Sequence, residues 1–261
     1  MEKVALVDRM DKLRDLENKY DRIYYGNEFC DQLLPSTSEL DSVLRFCQKR
    51  SLKTSVVMPY FNQENSEQVN CVLKYLWENH PGIEVVINDY GALYLLYQRY
   101  QSLRIILGRI FSRQKRGTMV KCSEELGLGQ EDTKNPADDS YFEESILQNR
   151  YALEYLKSIG VERLGIDNIF NIPNINTDIL VDLYFPYIFI TTSNYCLFYS
   201  YGNQINERVR PHNCKRFCQK TNVREMDLNG KIMYLKGNTQ FGYNGHNPEY
   251  KKINRLVEVI I

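Results

Sequence analysis

Four cysteines carry the chemistry in this sequence. Cys30 stands alone near the N-terminus, and Cys196, Cys214 and Cys218 follow late in the chain, the last two spaced C-x3-C. Thiolates gathered from distant segments suit a 4Fe–4S cluster, in which each iron takes one protein sulfur. A structural zinc site with four thiolate ligands is the competing assignment, but such sites usually use two tight C-x2–4-C knuckles, and only Cys214 and Cys218 form one here. A radical S-adenosylmethionine motif needs three clustered cysteines, and Cys214-Lys215-Arg216-Phe217-Cys218 has two. The spacing favours an iron–sulfur cofactor and redox chemistry. Of the remaining thiols, Cys47 continues the apolar stripe of Leu40, Val43 and Leu44, and Cys71 lies among Val69, Val72, Leu73 and Leu76. Both are expected to be small core hydrophobes. Cys122 falls in a polar stretch, where it would be exposed, reactive or a spare ligand.

The elements that must position these residues alternate in type. β-branched and aromatic runs at 4–7, 22–26, 54–58, 84–89, 104–109, 163–167, 187–192 and 256–261 read as strands, and 8–19, 37–49, 66–79, 144–159 and 178–184 read as helices. Ser36 with Glu39 makes a capping box for the second helix, and Gly160 a C-cap for the fourth. Eight βα repeats predict a single-domain α/β fold, a TIM-type (β/α)8-like barrel, with a doubly wound sheet as the alternative. Two stretches interrupt the repeat. Residues 117–141 are polar and acidic and read as a loop insertion, and the excursion 193–247 ends in apolar runs around Asn229-Gly230, a hairpin signal. Cys30 then follows the second strand, Cys196 follows the seventh, and Cys214 and Cys218 lie in the excursion, so all four reach the C-terminal mouth where such barrels build active sites.

Composition excludes several classes. Lys+Arg and Asp+Glu both number 33, so no bulk field draws the chain to nucleic acid or an anionic membrane. The N-terminus lacks the apolar run of a signal peptide, and no stretch reaches membrane-spanning length, which leads us to expect a soluble cytoplasmic protein. Seven cysteines, an odd number, argue for reduced or metal-bound thiols rather than a disulfide framework. The chain has no H-E-x-x-H, G-x-S-x-G, P-loop or G-x-G-x-x-G pattern, so a hydrolase reading lacks visible machinery.

Polar residues at strand ends complete the candidate site: Asn88 and Asp89 after the fourth strand, Arg109 after the fifth, Asp167 and Asn168 after the sixth. Asp89 and Asp167 have a plain alternative as helix caps. Arg109 offers the planar fork that grips a dicarboxylate at two points, its alternative being a salt bridge across the barrel rim. Arg113, Lys115 and Arg116 form a solvated charge run, and His212, two residues before Cys214, is placed to tune a cluster sulfur. His80 and His246 read as surface histidines.

The strings Tyr24-Tyr25-Gly26-Asn27-Glu28-Phe29-Cys30, Glu84-Val85-Val86-Ile87-Asn88-Asp89-Tyr90-Gly91, Leu107-Gly108-Arg109 with Arg113-Gln114-Lys115-Arg116, and Cys196 with the C-x3-C pair resemble the collagenase-like peptidase family U-32. Within it the short iron–sulfur members UbiV and UbiU of oxygen-independent ubiquinone biosynthesis are nearest. The resemblance implies a 4Fe–4S cluster on Cys30, Cys196, Cys214 and Cys218 and a barrel-like fold. It further implies oxygen-independent hydroxylation of an aromatic or other small substrate with prephenate as hydroxyl donor, and a heterodimer with a second member of the family. A non-catalytic, cluster-stabilised partner subunit and a U-32-type peptidase are the other functions it admits. The chain is expected to lack the longer members' extra C-terminal domain, which with the neutral charge makes an RNA substrate the weaker expectation.

Overall fold

The computed structural model describes residues 1–114, 145–169, 177–207, 209–228, 231–245 and 252–261. Strands β1 (Glu2–Val7), β2 (Arg22–Gly26), β3 (Lys53–Val57), β4 (Glu84–Ile87), β5 (Arg104–Leu107), β6 (Val161–Asp167) and β7 (Leu180–Phe185) follow one another, each parallel to the next. The chain then leaves this sheet through β8 (Tyr187–Thr192), β9 (Arg224–Leu228), β10 (Lys231–Lys236) and β11 (Thr239–Tyr243), and returns as β12 (Arg255–Val259) between β7 and β1. The result is a closed barrel of eight parallel strands, with β8, β11, β10 and β9 forming a separate antiparallel sheet.

Helices α1 (Met10–Asp15), α2 (Thr37–Lys49), α3 (Ser66–Asn79), α4 (Tyr90–Arg99) and α5 (Arg150–Ser158) follow the barrel strands. The α2 pattern does what its sequence dictates: Ser36 accepts from the Glu39 amide at 3.2 Å, and Leu40, Val43 and Cys47 are buried. These apolar faces pack on the outward strand residues, such as Ala5, Ile23, Val56, Val85 and Ile105. The inward residues alternate with them, as the two-residue strand period requires. Val4, Tyr24, Val57, Val86, Ile106, Tyr184 and Val257 fill the barrel's middle. Below them lies a buried ionic layer. Glu84 pairs with both Arg22 (2.8 Å) and Arg255 (2.9 Å), and Tyr24 donates to Asp182 at 2.5 Å.

One element differs from the sequence expectation. Residues 178–184, read as helical, contain most of the seventh barrel strand, and Tyr187–Thr192, read as that strand, opens the antiparallel sheet instead. The run Ile179-Leu180-Val181-Asp182-Leu183-Tyr184 fits either period over so short a window. Tertiary structure decides for the strand: Val181 and Leu183 face the helical layer, whereas Asp182 and Tyr184 point inward. The hairpin expectation is met by β9 and β10, which pair antiparallel with Lys231 opposite Leu228, although Asn229 and Gly230 lie outside the described residues. The insertion at 117–141, with Cys122, also lies outside them. No helix among the described residues is long and apolar enough to cross a membrane.

Candidate functional site at the barrel mouth

The four singled-out thiols come together. β2 ends at Gly26, whose φ of +133° and closeness to the Val57 carbonyl, 2.1 Å from where a Cβ would sit, exclude any side chain. The chain turns there, and Asn27 Oδ1 accepts from the amides of both Phe29 and Cys30 at 2.9 Å. Cys30 is thereby fixed on the mouth side, in one apolar cluster with Leu33, Cys196, Phe198, Cys218 and Leu235. Cys196 precedes helix α6 (Leu197–Gly202), and Cys218 sits in the short helix α7 (Phe217–Lys220). Cys214 is half-buried and tied to the Cys30 segment by its amide, which donates to Gln32 Oε1 at 3.4 Å.

The electrostatics of these thiols are coupled. Burial pushes Cys30 up first, and the neighbouring Cys218 and Cys196 add to it. Burial and then Cys196 push Cys218 up to about 12, with Cys214 also contributing, while burial raises Cys196 with Cys214 adding to it. Cys30, Cys196 and Cys218 each feel at least one other of the set. Amide donors offset part of this cost: Gln32 faces Cys30, Tyr199 and Phe198 face Cys196, and Arg216 donates to Cys214 Sγ at 3.3 Å. Thiolate is the form that binds a metal, and the amide donors at Cys30, Cys196 and Cys214 favour it where burial opposes it. Among the described residues, no group of three or more His, Cys, Asp or Glu side chains is arranged to hold a metal ion.

A second group lies inside the mouth. Arg109 is 1% exposed, and its Nε donates to Glu28 Oε2 (2.8 Å) and its Nη1 to Asp167 Oδ1 (2.9 Å) and the Tyr187 carbonyl (3.0 Å). Its guanidinium lies over the rings of Tyr184 and Phe29, 4.6 and 5.2 Å from their centroids. Burial opposes its charge, but Glu28 and Asp167 outweigh that and hold its pKa above the usual value. Burial raises Glu28 despite Arg109. The Arg109 fork is therefore occupied within the protein, as the cross-barrel salt bridge, and not presented as a free two-point grip for a dicarboxylate. Asp89 caps α4, accepting from the Ala92 amide at 2.8 Å and from Phe61 at 2.7 Å, and Asp167 also accepts from Phe189. Asn168 is buried, its carbonyl bound by Asn244.

Asn88 is different. It is 4% exposed, and neither its Oδ1 nor its Nδ2 has a partner. The amide lies against Gly108, where a Cβ would sit 2.2 Å from Asn88 Oδ1, so only glycine leaves room for it. Glu28 Oε1 and Tyr184 Oη are also buried without partners. Each such group costs about 1–3 kcal/mol unless a water, an ion or a ligand satisfies it. The antiparallel sheet covers the mouth: Phe29 stacks on Phe189 (4.5 Å) and meets Phe241 (5.9 Å) edge-on. A cavity of about 40 Å³ remains beneath, lined by Asp8, Glu28, Arg109, Lys236 and Thr239 among others. Sequence reasoning missed Glu28 and Tyr184, although Glu28 continues the inward alternation of Arg22, Tyr24 and Gly26.

The other sequence expectations divide. Cys47 is fully buried as a core thiol. Cys71 is exposed, a correction: on α3 the buried stripe is Val69, Val72, Leu73 and Leu76, and Cys71 falls on the opposite face. It lines a groove of about 730 Å³ beside the thiols, together with Gln32, Ser36, His212 and Arg216. His212 is exposed on that groove, while His80 meets Tyr75 and His246 is outside the described residues. Arg113 reaches the Tyr90 hydroxyl at 3.4 Å, and Lys115 and Arg116 lie outside the described residues.

No protein-family model matches the sequence, and no curated protein matches it. The structure does have a likeness among solved ones. The barrel with its outer sheet superposes on the U32 peptidase Mk0906 with a TM-score of 0.50, covering 100% of this chain and 93% of that one at 10% identity. At that identity the likeness is one of fold: a U32-peptidase-like architecture extends over the whole chain.

Proposed function

We propose that this chain is an iron–sulfur protein of the U-32 type, with Cys30, Cys196, Cys214 and Cys218 holding a 4Fe–4S cluster at the barrel mouth. The observation that carries this reading is the convergence of four thiols from segments nearly two hundred residues apart in sequence. When bound, the cluster supplies electron transfer or a Lewis-acidic iron.

The reaction we assign is oxygen-independent hydroxylation of an aromatic or other small biosynthetic substrate, as in the UbiV and UbiU branch, with prephenate as donor and a second U-32-type subunit as partner. Asn88, Glu28 and Tyr184 would contact the reactants, and the Phe29–Phe189–Phe241 cover would exclude water from them. Arg109 would orient Glu28 through their buried ion pair. The peptidase named in the structural likeness is the second reading, favoured by the shared architecture.

Anaerobic purification followed by iron and acid-labile sulfide analysis tests the cofactor, with about four of each expected per chain. Stoichiometric zinc without labile sulfide would sink it. Anaerobic incubation with prephenate and a second U-32-type subunit, against a casein or gelatin digestion assay, separates the hydroxylase from the peptidase.

A further inference from the structure

The loop that presents Cys214 is built on unfavourable backbone. Asn213 and Arg216, which bracket Cys214 and Lys215, have φ of +48° and +54°, in the left-handed region. For a long side chain such as arginine this conformation costs about 1–2 kcal/mol relative to a right-handed one, and glycine would adopt it freely. A residue stays there only where its surroundings over-determine it. At Arg216 the surroundings are on its own side chain. Nη2 donates to the Leu34 carbonyl at 3.2 Å, and Nη1 lies 3.7 Å from Glu39 Oε2. Glu39 is itself anchored, accepting from the Tyr25 hydroxyl at 2.5 Å, and Tyr25 is a fully buried residue of β2. The left-handed turn aims the Arg216 amide back at Cys214 Sγ, 3.3 Å away.

We infer that Arg216 is the positioning residue of the thiol cluster: by gripping Leu34 and Glu39 across the mouth, its side chain holds its own backbone left-handed and so keeps Cys214 turned toward the other three cysteines. The connection runs from a barrel strand (Tyr25) through the first turn of α2 (Glu39) to the loop. It couples the late C-x3-C pair to the segment that carries Cys30, since Leu34 ends the short 3-10 turn that follows Cys30. The adjacent Lys215 is exposed and has no such role. The inference rests on the iron–sulfur reading for its ligand, but the clamp itself is a property of the chain.

Two measurements test it. In anaerobically reconstituted protein, Arg216→Ala should lose Cys214 as a ligand and shift the EPR spectrum toward that of a three-iron cluster, with about one iron fewer per chain. Arg216→Gly should recover part of the four-iron form, because glycine keeps the turn without the clamp, and Glu39→Gln should move in the same direction as Arg216→Ala to a smaller extent. Lys215→Ala should match the wild type. An Arg216→Ala spectrum and iron content identical to wild type overturns the inference, as does an Arg216→Gly protein no better than Arg216→Ala. The second measurement needs no metal: in iron-free, folded protein, tryptic cleavage after Lys215 should be about tenfold faster in Glu39→Gln than in wild type, since local opening governs the rate. Equal cleavage rates refute the clamp, whereas a wild type that never takes up iron refutes the cluster alone.

Discussion

Replacing Asn88 by alanine should make the protein more stable. Asn88 is 4% exposed and both amide atoms lack partners, so folding strips them of water and returns nothing. Removing such a group relieves about 1–3 kcal/mol. Against this stands the void left by the amide, roughly 30 Å³, which at about 24 cal/mol per Å³ costs on the order of 0.7 kcal/mol. The net gain is about 0.5–2 kcal/mol. Asn65 supplies the control, being of the same type and 3% exposed but fully engaged: Nδ2 donates to the Tyr60 carbonyl and Oδ1 accepts from the Asn62 amide at 2.8 Å. Asn65→Ala should therefore lose about 1–3 kcal/mol. Urea unfolding of the iron-free protein, extrapolated linearly, reads both signs in one experiment. If Asn88→Ala loses stability as Asn65→Ala does, the amide is bonded in the folded protein and the argument that it is held ready for a ligand collapses. A stabilised variant that has lost activity would be the usual signature of a residue kept for function at the expense of stability.

Three further outcomes follow from the geometry. Cys30→Ala, Cys196→Ala, Cys214→Ala and Cys218→Ala should each lower the iron content of the isolated protein, whereas Cys47→Ala should keep it and cost on the order of 1 kcal/mol of core packing; iron loss from Cys47→Ala alone would contradict the ligand assignment. Arg109→Ala leaves the Glu28 and Asp167 carboxylates buried without their cation and should destabilise by about 3–5 kcal/mol in urea, with Arg109→Lys restoring only part; a loss below 1 kcal/mol would mean the pair is not buried as described. Burial raises the Asp182 carboxyl to about 6, above its ordinary unfolded value, so the native state binds the extra proton and stability falls as pH rises from about 4 to 6. The stability of Asp182→Asn relative to wild type should then climb by up to about 3 kcal/mol across that window, and a flat difference would show that Asp182 is not titrating there.

The barrel was legible because its signals are local and repeated. Apolar runs of four to six residues alternate with stripes such as Leu40-Val43-Cys47, and each pattern is fixed by the period of the element that carries it. The seventh strand was not legible, because its inward Asp182 is an ionic residue whose partner Tyr24 lies 158 residues away. The same reason hid Glu28: a carboxylate at a strand end looks like a cap or a surface residue until Arg109, 81 residues away, is brought against it. That Cys30, Cys196 and Cys218 would share one buried cluster was legible from their spacing around the strands. What could not be read was how they are held, because the Arg216–Leu34 and Cys214–Gln32 contacts span 182 residues each.

The segment after β2 joins the two halves of the mouth in five residues. Gly26 lets the strand turn, Asn27 captures the amides of Phe29 and Cys30, Glu28 meets Arg109 inside the barrel, Phe29 packs under the outer sheet, and Cys30 enters the thiol group. Asn238, in the turn before β11, donates to the carbonyls of both Phe29 and Ser193 and so ties the outer sheet to this segment. An interior polar cluster and a thiol cluster could have been placed on independent loops, as barrel mouths allow. Here they share one short, hydrogen-bonded stretch, so a change that reorients Glu28 displaces Phe29 and Cys30 with it. That linkage gives the polar chamber and the thiols a common geometry, which is what a site would require if a reactant held by Asn88 and Glu28 had to be presented to a cofactor held by Cys30.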